Sequence, residues 1–362
     1  MKSRSELSRQ SAGSQDIAKG MTRRQLLLAG GLFLAGGASV MSDAVAVARP
    51  DDGPYRLLHV DSSGTRHLAH THHMVGLPDE ADGLVIIHVT DVHGDHEGVT
   101  RIGPRQMKRL AGSINNVVDA HFGVDDDHRV LALTGDYVNH VKDGRMGTYP
   151  ETAQKDFEDI LFQIDTIRAN HRLAVRGNHD YNVTWGSEMP SMLVDHGYRM
   201  NGPHGDGVRI RGVECMGFPD FVTDALYQSG RVYSARRTID DLSDRLATPE
   251  PKVVLTHSAC LLDPQVTGVR FDNMIALTGH VHGCQFPNKG IHMRGLRLAA
   301  QIRMHGLGYR GDMWESRLDL EPTVKDGAPS SIHVGHGVGD HPQHQHTRMS
   351  TRTVVYIELR KA

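Results

Sequence analysis

Leu84-Val85-Ile86-Ile87-His88-Val89-Thr90-Asp91-Val92-His93 decides the fold class. A short apolar, β-branched run ends abruptly in two side chains that can bind a metal. Such a run favours a strand, and the polar pair that follows reads as the loop it feeds. The same pattern recurs four times. Residues 130–133 lead to Thr134-Gly135-Asp136, and residues 173–175 lead to Arg176-Gly177-Asn178-His179-Asp180. Residues 253–255 lead to Thr256-His257, and residues 274–277 lead to Thr278-Gly279-His280-Val281-His282.

Between the first three strands the period changes. Residues 104–120 have helical apolar spacing, as do Phe157, Ile160, Leu161, Ile164 and Ile167 within 152–168. Strand and helix alternation makes this an α/β chain, a class that binds ligands beyond the carboxyl ends of its strands. Residues 208–213 alternate like a strand, and 354–359 form a closing strand, so the sheet is mixed or there are two packed sheets. Residues 49–80 form a polar N-terminal segment with a histidine group at His67, His70, His72 and His73, expected in exposed loops. Accessory metal capture is the alternative use of those histidines. Residues 309–348 show little periodicity and are expected to be a long surface excursion; they include a second histidine group between His341 and His346.

Composition narrows the function. Apolar residues make up 38 % of the chain, enough for a globular core. Net charge is -3, and no Lys/Arg block follows the N-terminus, so a nucleic-acid partner is not expected. A charged substrate must then be held locally. The three cysteines, Cys215, Cys260 and Cys284, form no CxxC motif; a Cys215–Cys260 bridge stays open, and reduced thiols are the favoured state.

Residues 1–48 read as an export signal rather than part of the fold. A mildly basic head runs into Thr22-Arg23-Arg24-Gln25-Leu26-Leu27, then into an apolar stretch too short and glycine-rich for a comfortable membrane span. Small residues at Ala44, Ala46 and Ala48 suit a signal peptidase. Arginines paired before the apolar run match a twin-arginine leader. The expected location is the periplasm or beyond the cell, with the twin-arginine export machinery as a partner. An uncleaved leader would leave the protein anchored to the membrane. Residues 81–362 would be the catalytic domain.

The five loops together supply two carboxylates, one carboxamide and several imidazoles. That is enough for two ions in mixed N/O coordination with open positions. One ion is assigned Asp91, His93 and His282, the other Asn178, His257 and His280, with Asp136 bridging them. Two such ions clamp the attacking and leaving oxygens of an in-line displacement at phosphorus and activate a bridging hydroxide. His179 follows a ligand without needing to be one, which places it to protonate the leaving oxygen. Asp180 is the candidate to orient His179. Without a thiolate ligand, Mn, Fe and Zn all suit the donors.

These blocks resemble the calcineurin-like metallophosphoesterase family, whose signatures run Asp-x-His, Gly-Asp, Gly-Asn-His-Asp or Glu, a later His, and Gly-His-x-His. They fall in the same order over residues 91–282. The resemblance implies a two-sheet mixed β-sandwich flanked by helices, with the metal site at the carboxyl ends of the strands, and it implies His179 as the catalytic imidazole. Asn139-His140-Val141 after Gly135-Asp136-Tyr137-Val138 departs from the protein Ser/Thr phosphatase pattern, which uses an arginine there. Asn139 also replaces the metal-binding tyrosine of purple acid phosphatases. Gly279-His280-Val281-His282-Gly283-Cys284-Gln285 and Gly335-His336-Gly337-Val338-Gly339 are similar to blocks in bacterial enzymes with twin-arginine leaders or membrane anchors. Some of those act on lipids, which would suit peripheral membrane association.

The expected activity is therefore hydrolysis of a phosphomonoester or phosphodiester, in a small molecule or a lipid. The alternatives are a pyrophosphate hydrolase of a nucleotide–lipid conjugate, a phospholipid phosphoesterase, and a non-catalytic metal-binding protein that retains the fold.

Overall fold

The structure, a computed structural model, describes residues 55–94, 102–138, 141–142, 145–146, 152–181, 187–200, 207–218, 243–257, 262, 269–279, 317–320, 327–335, 337–339 and 352–362. All belong to the unit Ala48–Ala362.

In chain order the described elements begin with β1 (Arg56–Val60), β2 (Arg66–Met74), β3 (Val85–Val89), α1 (Pro104–His121), β4 (Arg129–Leu133), β5 (Val141–Lys142), β6 (Arg145–Met146) and α2 (Thr152–Ile164). Next come β7 (His171–Ala174), α3 (Asn178–Tyr181), α4 (Met189–Asp195), β8 (Arg199–Met200), β9 (Val208–Ile210) and β10 (Val213–Phe218). The series ends with β11 (Lys252–Thr256), β12 (Met274–Thr278), β13 (Arg317–Leu320), β14 (Ser330–Val334) and β15 (Thr353–Lys361). Among the described residues no helix is long and apolar enough to cross a membrane.

Two mixed sheets carry the fold. A seven-stranded sheet has the order β1-β2-β15-β3-β4-β7-β8, and a six-stranded sheet has the order β13-β14-β12-β11-β10-β9. Strands β3, β4 and β7 run parallel, as do β10, β11, β12 and β14. Parallel strands are covered on both faces, which explains their nearly continuous apolar sequences.

Side-chain alternation sorts those faces. Val85, Ile87 and Val89 of β3 pack outward against α1 and α2, while Ile86 packs inward against the other sheet. Leu131 and Leu133 of β4 follow the outward face, Val130 and Ala132 the inward one. In the six-stranded sheet Val253, Leu255, Ile275 and Leu277 point into the same inter-sheet core. Val254, Met274 and Ala276 point the other way, into a separate cluster with Phe271. Helix α1 buries Met107, Leu110, Ala111, Ile114, Val117 and Val118, one stripe at helical spacing. Pro104 opens it, where a missing N–H costs nothing.

The sequence expectations are corrected at three places. Residues 56–74 are not a polar preamble with exposed loops. They form β1 and β2, and β2 pairs with β15 along its whole length. His67 and His72 are buried there, and His67 lies 2.7 Å from the Tyr356 hydroxyl and 3.0 Å from that of Ser113. Residues 208–213 are not one strand. Arg211 and Gly212, with φ of 48° and 77°, make a two-residue hairpin between β9 and β10. The 309–348 stretch contains β13 and β14 rather than only a surface excursion. Cys215 is free and buried, and burial pushes its thiol up to about 12; Cys260 lies outside the described residues.

Leu277 sits fully buried between the sheets, so Leu277→Ala should cost roughly 2–5 kcal/mol in urea unfolding. Phe162, 64 % exposed, serves as the contrast: Phe162→Ser should stay within about 0.5 kcal/mol. A second expectation concerns acid. Burial pushes His67 down to about 4, against the pull of Asp61, and His88 down to about 3, from 6.5. The unfolded chain thus binds more protons between those limits. The contribution is complete above about pH 6.5 and drains away as pH falls toward 4 and 3. Urea midpoints should drop between pH 7 and pH 5, and less steeply in His67→Gln. An unchanged slope in that variant would remove His67 from the account.

Candidate metal centre

Five loops meet where parallel strands end. Three leave the seven-stranded sheet after β3, β4 and β7, and two leave the six-stranded sheet after β11 and β12. The first two are strained. Asp91, His93 and Asp136 have φ of 50°, 43° and 56°, in the left-handed region that side chains seldom enter. Cross-loop hydrogen bonds hold them there. Asp91 N donates to Gly135 O (3.0 Å), His93 N to Asp136 O (2.9 Å) and Gly94 N to Tyr137 O (2.9 Å).

The β7 loop is pressed against the β4 loop. Gly135 has φ +92°, and a Cβ there would run into the Gly177 backbone; a Cβ on Gly177 would sit 2.5 Å from Asp136 N. Asp180 closes the contact. Its carboxylate accepts from Asp136 N (2.8 Å), Tyr137 N (2.9 Å) and Gly177 N (2.7 Å). The sequence reading expected Asp180 to orient the His179 ring; the hydrogen bonds described for it run to backbone N–H groups of both loops. Burial and the adjacent Asp136 charge push Asp180 up to about 7, while the N–H donors favour its anion. The late glycine segment also docks here, with Val338 N donating to Thr90 O (3.1 Å) and Gly339 N to Asp91 O (2.9 Å).

Asp136 is the hub. One set of possible ligand atoms, from Asp91, Asp136 and His257, lies mutually within 4.8 Å, and a second comprises His93, Asp136 and His179. His257 Nε2 is 3.2 Å from Asp136 Oδ2; His93 Nε2 and His179 Nε2 are 3.7 and 3.9 Å from the same oxygen. Burial alone would raise the Asp136 carboxyl, but His257, His179 and His93 outweigh it and hold it well below the usual range. His257 supplies the test of fit for a cation. Its Nδ1 lies 2.7 Å from the Thr134 carbonyl, which can only accept, so Nδ1 carries the proton. Nε2 then presents a lone pair to a carboxylate unless a proton or a metal ion lies between them. The donors present suit a divalent cation.

A model of the calcineurin-like phosphoesterase family matches residues 84–284, more than half of the chain. The chain belongs to that family. The family consists of metal-dependent hydrolases of phosphoesters, and this chain is such an enzyme. A search of curated proteins gives no match. Among solved structures, a phosphopantetheinyl hydrolase from Mycobacterium tuberculosis is 11 % identical, with 75 % of this chain and 95 % of that one covered and a TM-score of 0.35. A protein of unknown function from Aquifex aeolicus is 13 % identical, with 59 % and 86 % covered and a TM-score of 0.27.

Of the residues the sequence put forward, this phosphoesterase brings Asp91, His93, Asp136, His179 and His257 together. His257 lies beside Asp91 and Asp136, with ligand atoms mutually within 4.8 Å. Asn178 opens α3, but its side chain lies outside the described residues, as do His280, His282 and His336. The sequence reading passed over Thr90 and Tyr137. Thr90 Oγ1 donates to Asp91 Oδ2 (2.8 Å) and fixes that carboxylate. The Tyr137 hydroxyl donates to the Val175 carbonyl (2.7 Å), tying the β4 loop to β7. For Thr90 the available signal was the Thr that precedes four of the five ligand sets, at Thr90, Thr134, Thr256 and Thr278.

Removing the brace should loosen the hub. Asp180→Ala would leave three buried N–H donors without their acceptor and cost about 3 kcal/mol or more. Elemental analysis should show metal content falling with stability. A stable, fully metal-loaded Asp180→Ala protein would refute the bracing role.

Proposed function

We propose that this phosphoesterase is an exported two-metal hydrolase of phosphate mono- or diesters in small molecules or lipids. In this reading Asp91, His93 and His282 serve one ion, Asn178, His257 and His280 the other, and Asp136 both. The supporting observation is the double membership of Asp136, whose carboxylate lies in both groups of convergent ligand atoms. Mn, Fe and Zn are the candidate metals, on donor chemistry alone. The paired Arg23 and Arg24 support export by the twin-arginine machinery, which carries folded proteins and would place the enzyme in the periplasm.

Two such ions supply Lewis-acid charge for the phosphoryl oxygens and lower the pKa of a water. The remaining work falls to the chain. Asp91 and Asp136, both buried, would offset the cationic charge. His179 is 7 % exposed, whereas Asp91, His93 and His257 are fully buried, so among the described imidazoles of the site His179 is the one nearest a substrate's path. Its ring stands edge-on to that of His93, with centroids 4.7 Å apart. From there it protonates the departing oxygen. The His179 backbone N–H donates to Asp136 Oδ1 (2.9 Å), so a side-chain substitution leaves the loop anchored.

Chelation should abolish turnover and Mn²⁺ should restore it. Asp136→Ala should lower both metal content and turnover. His179→Asn should keep its metals and lose roughly 10²–10⁴-fold in turnover. That loss should be full for an alkyl or sugar ester and small for an activated aryl ester, whose leaving oxygen scarcely needs a proton. Loss of metal in His179→Asn, or equal slowing of both esters, would withdraw the general-acid role.

A further inference from the structure

A second group of histidines lies outside the five loops. His70 and His72 are two apart on β2 and so share a face. That face points between the sheets, as do Leu68 and Met74 of the same strand. His333 lies on β14 of the other sheet, next to Ile332, which packs into the outer cluster. Alternation therefore turns His333 inward, toward β2. One ring nitrogen from each of the three lies within 4.8 Å of one from each of the others. Ring centroids are 5.1 Å apart for His70 and His333, 6.1 Å for His70 and His72, and 6.4 Å for His72 and His333.

The surroundings suit ligation. The Tyr55 hydroxyl is 2.5 Å from His333 Nδ1. When Nδ1–H donates to that oxygen, Nε2 keeps its lone pair, the arrangement a metal-bound histidine needs. The Ser331 hydroxyl lies 3.4 Å from His72 Nδ1, close enough to accept its N–H and leave His72 Nε2 for the ion; it is also 3.2 Å from His333 Nε2, to which it donates when no ion holds that lone pair. His333 is fully buried and His72 nearly so, while His70 is half-buried and opens the group to solvent. An ion there would have two buried ligands and one nearer the surface, and a water would complete four-coordination. No carboxylate belongs to the group, and three neutral imidazoles select Zn²⁺, Cu²⁺ or Ni²⁺ over Mg²⁺ or Ca²⁺.

We propose that His70, His72 and His333 form a separate site for one borderline divalent ion, with Zn²⁺ the leading candidate, and that the ion clips β2 of one sheet to β14 of the other. The role is structural. It shares no residue with the proposed catalytic centre and stands whether or not that centre is assigned correctly.

The test uses full-length protein stripped by a chelator and reloaded with Zn²⁺, with metal per chain measured by elemental analysis. Wild type should bind one ion more than His70→Asn, and His70→Asn should retain phosphoesterase activity. Asp136→Ala should keep the ion that His70→Asn loses. In Asp136→Ala, Zn²⁺ should still raise Tm, and that rise should vanish when His70→Asn is added. Co²⁺ substitution in Asp136→Ala should give the intense visible bands of a four-coordinate site, absent from the double variant. Because His72 is buried, its substitution could unfold the chain; half-buried His70 is the decisive position. Equal Zn²⁺ in wild type and His70→Asn would overturn the proposal and leave the three rings as a packing cluster with Tyr55. Loss of activity together with every ion in His70→Asn would overturn the separateness of the site.

Discussion

One carboxylate sets the geometry of the catalytic end of this molecule. Asp180 gathers the N–H groups of Gly177, Asp136 and Tyr137 and so fuses the loops after β4 and β7. A left-handed aspartate is uphill by itself. At Asp136 that conformation persists because the loop around it is gripped from one side by Asp180 and from the other by His93 N. The strain is useful, since it turns the Asp136 side chain into the gap where three imidazoles converge. Asp180 is thus important to chemistry it does not touch.

Both sheets contribute to that gap, and the inter-sheet core fixes their separation. Val253, Leu255, Ile275 and Leu277 press against Ile86, Val130 and Ala132. Those contacts bring His257 up to Asp136 from the opposite sheet. A void between the sheets would therefore be felt twice, as lost packing and as a displaced imidazole. Cations shared between groups from both sheets would feed free energy back into the interface. Metal affinity and fold stability are then linked quantities in this enzyme.

Much of this was legible in the sequence for a simple reason. Strands buried on both faces show as unbroken apolar runs, and their loops begin with ligand residues, so residues 84–93 and 130–136 announce both fold and site. Other features left weaker traces. Strand β2 is histidine-rich, and imidazoles that are buried by pairing with Tyr356 and Ser113 look polar in a sequence. The β9–β10 turn places an arginine in a left-handed conformation, where glycine or asparagine would have marked it. Strand β14, Ser330-Ser331-Ile332-His333-Val334, carries few apolar residues because its inner face holds Ser331 and His333. Asp180 was noticed for its position beside His179, but only coordinates show that it accepts from backbone amides of its own loop and of the β4 loop.

The place of β15 has a consequence for how this protein is made. Residues 353–361 lie between β2 and β3, parallel to the one and antiparallel to the other. The strands that flank β15 are separated from it by more than 250 residues of chain. A ribosome therefore delivers β1 and β2 long before the strand that joins them to the rest of their sheet. Until then the facing edges of β2 and β3 are open, and such edges invite wrong partners. Closure of the sheet is a late, long-range event with a large loop-entropy cost. During synthesis the β2 and β3 edges therefore stay unpaired until residues 353–361 emerge, and the chain is more exposed to misassembly than its finished form.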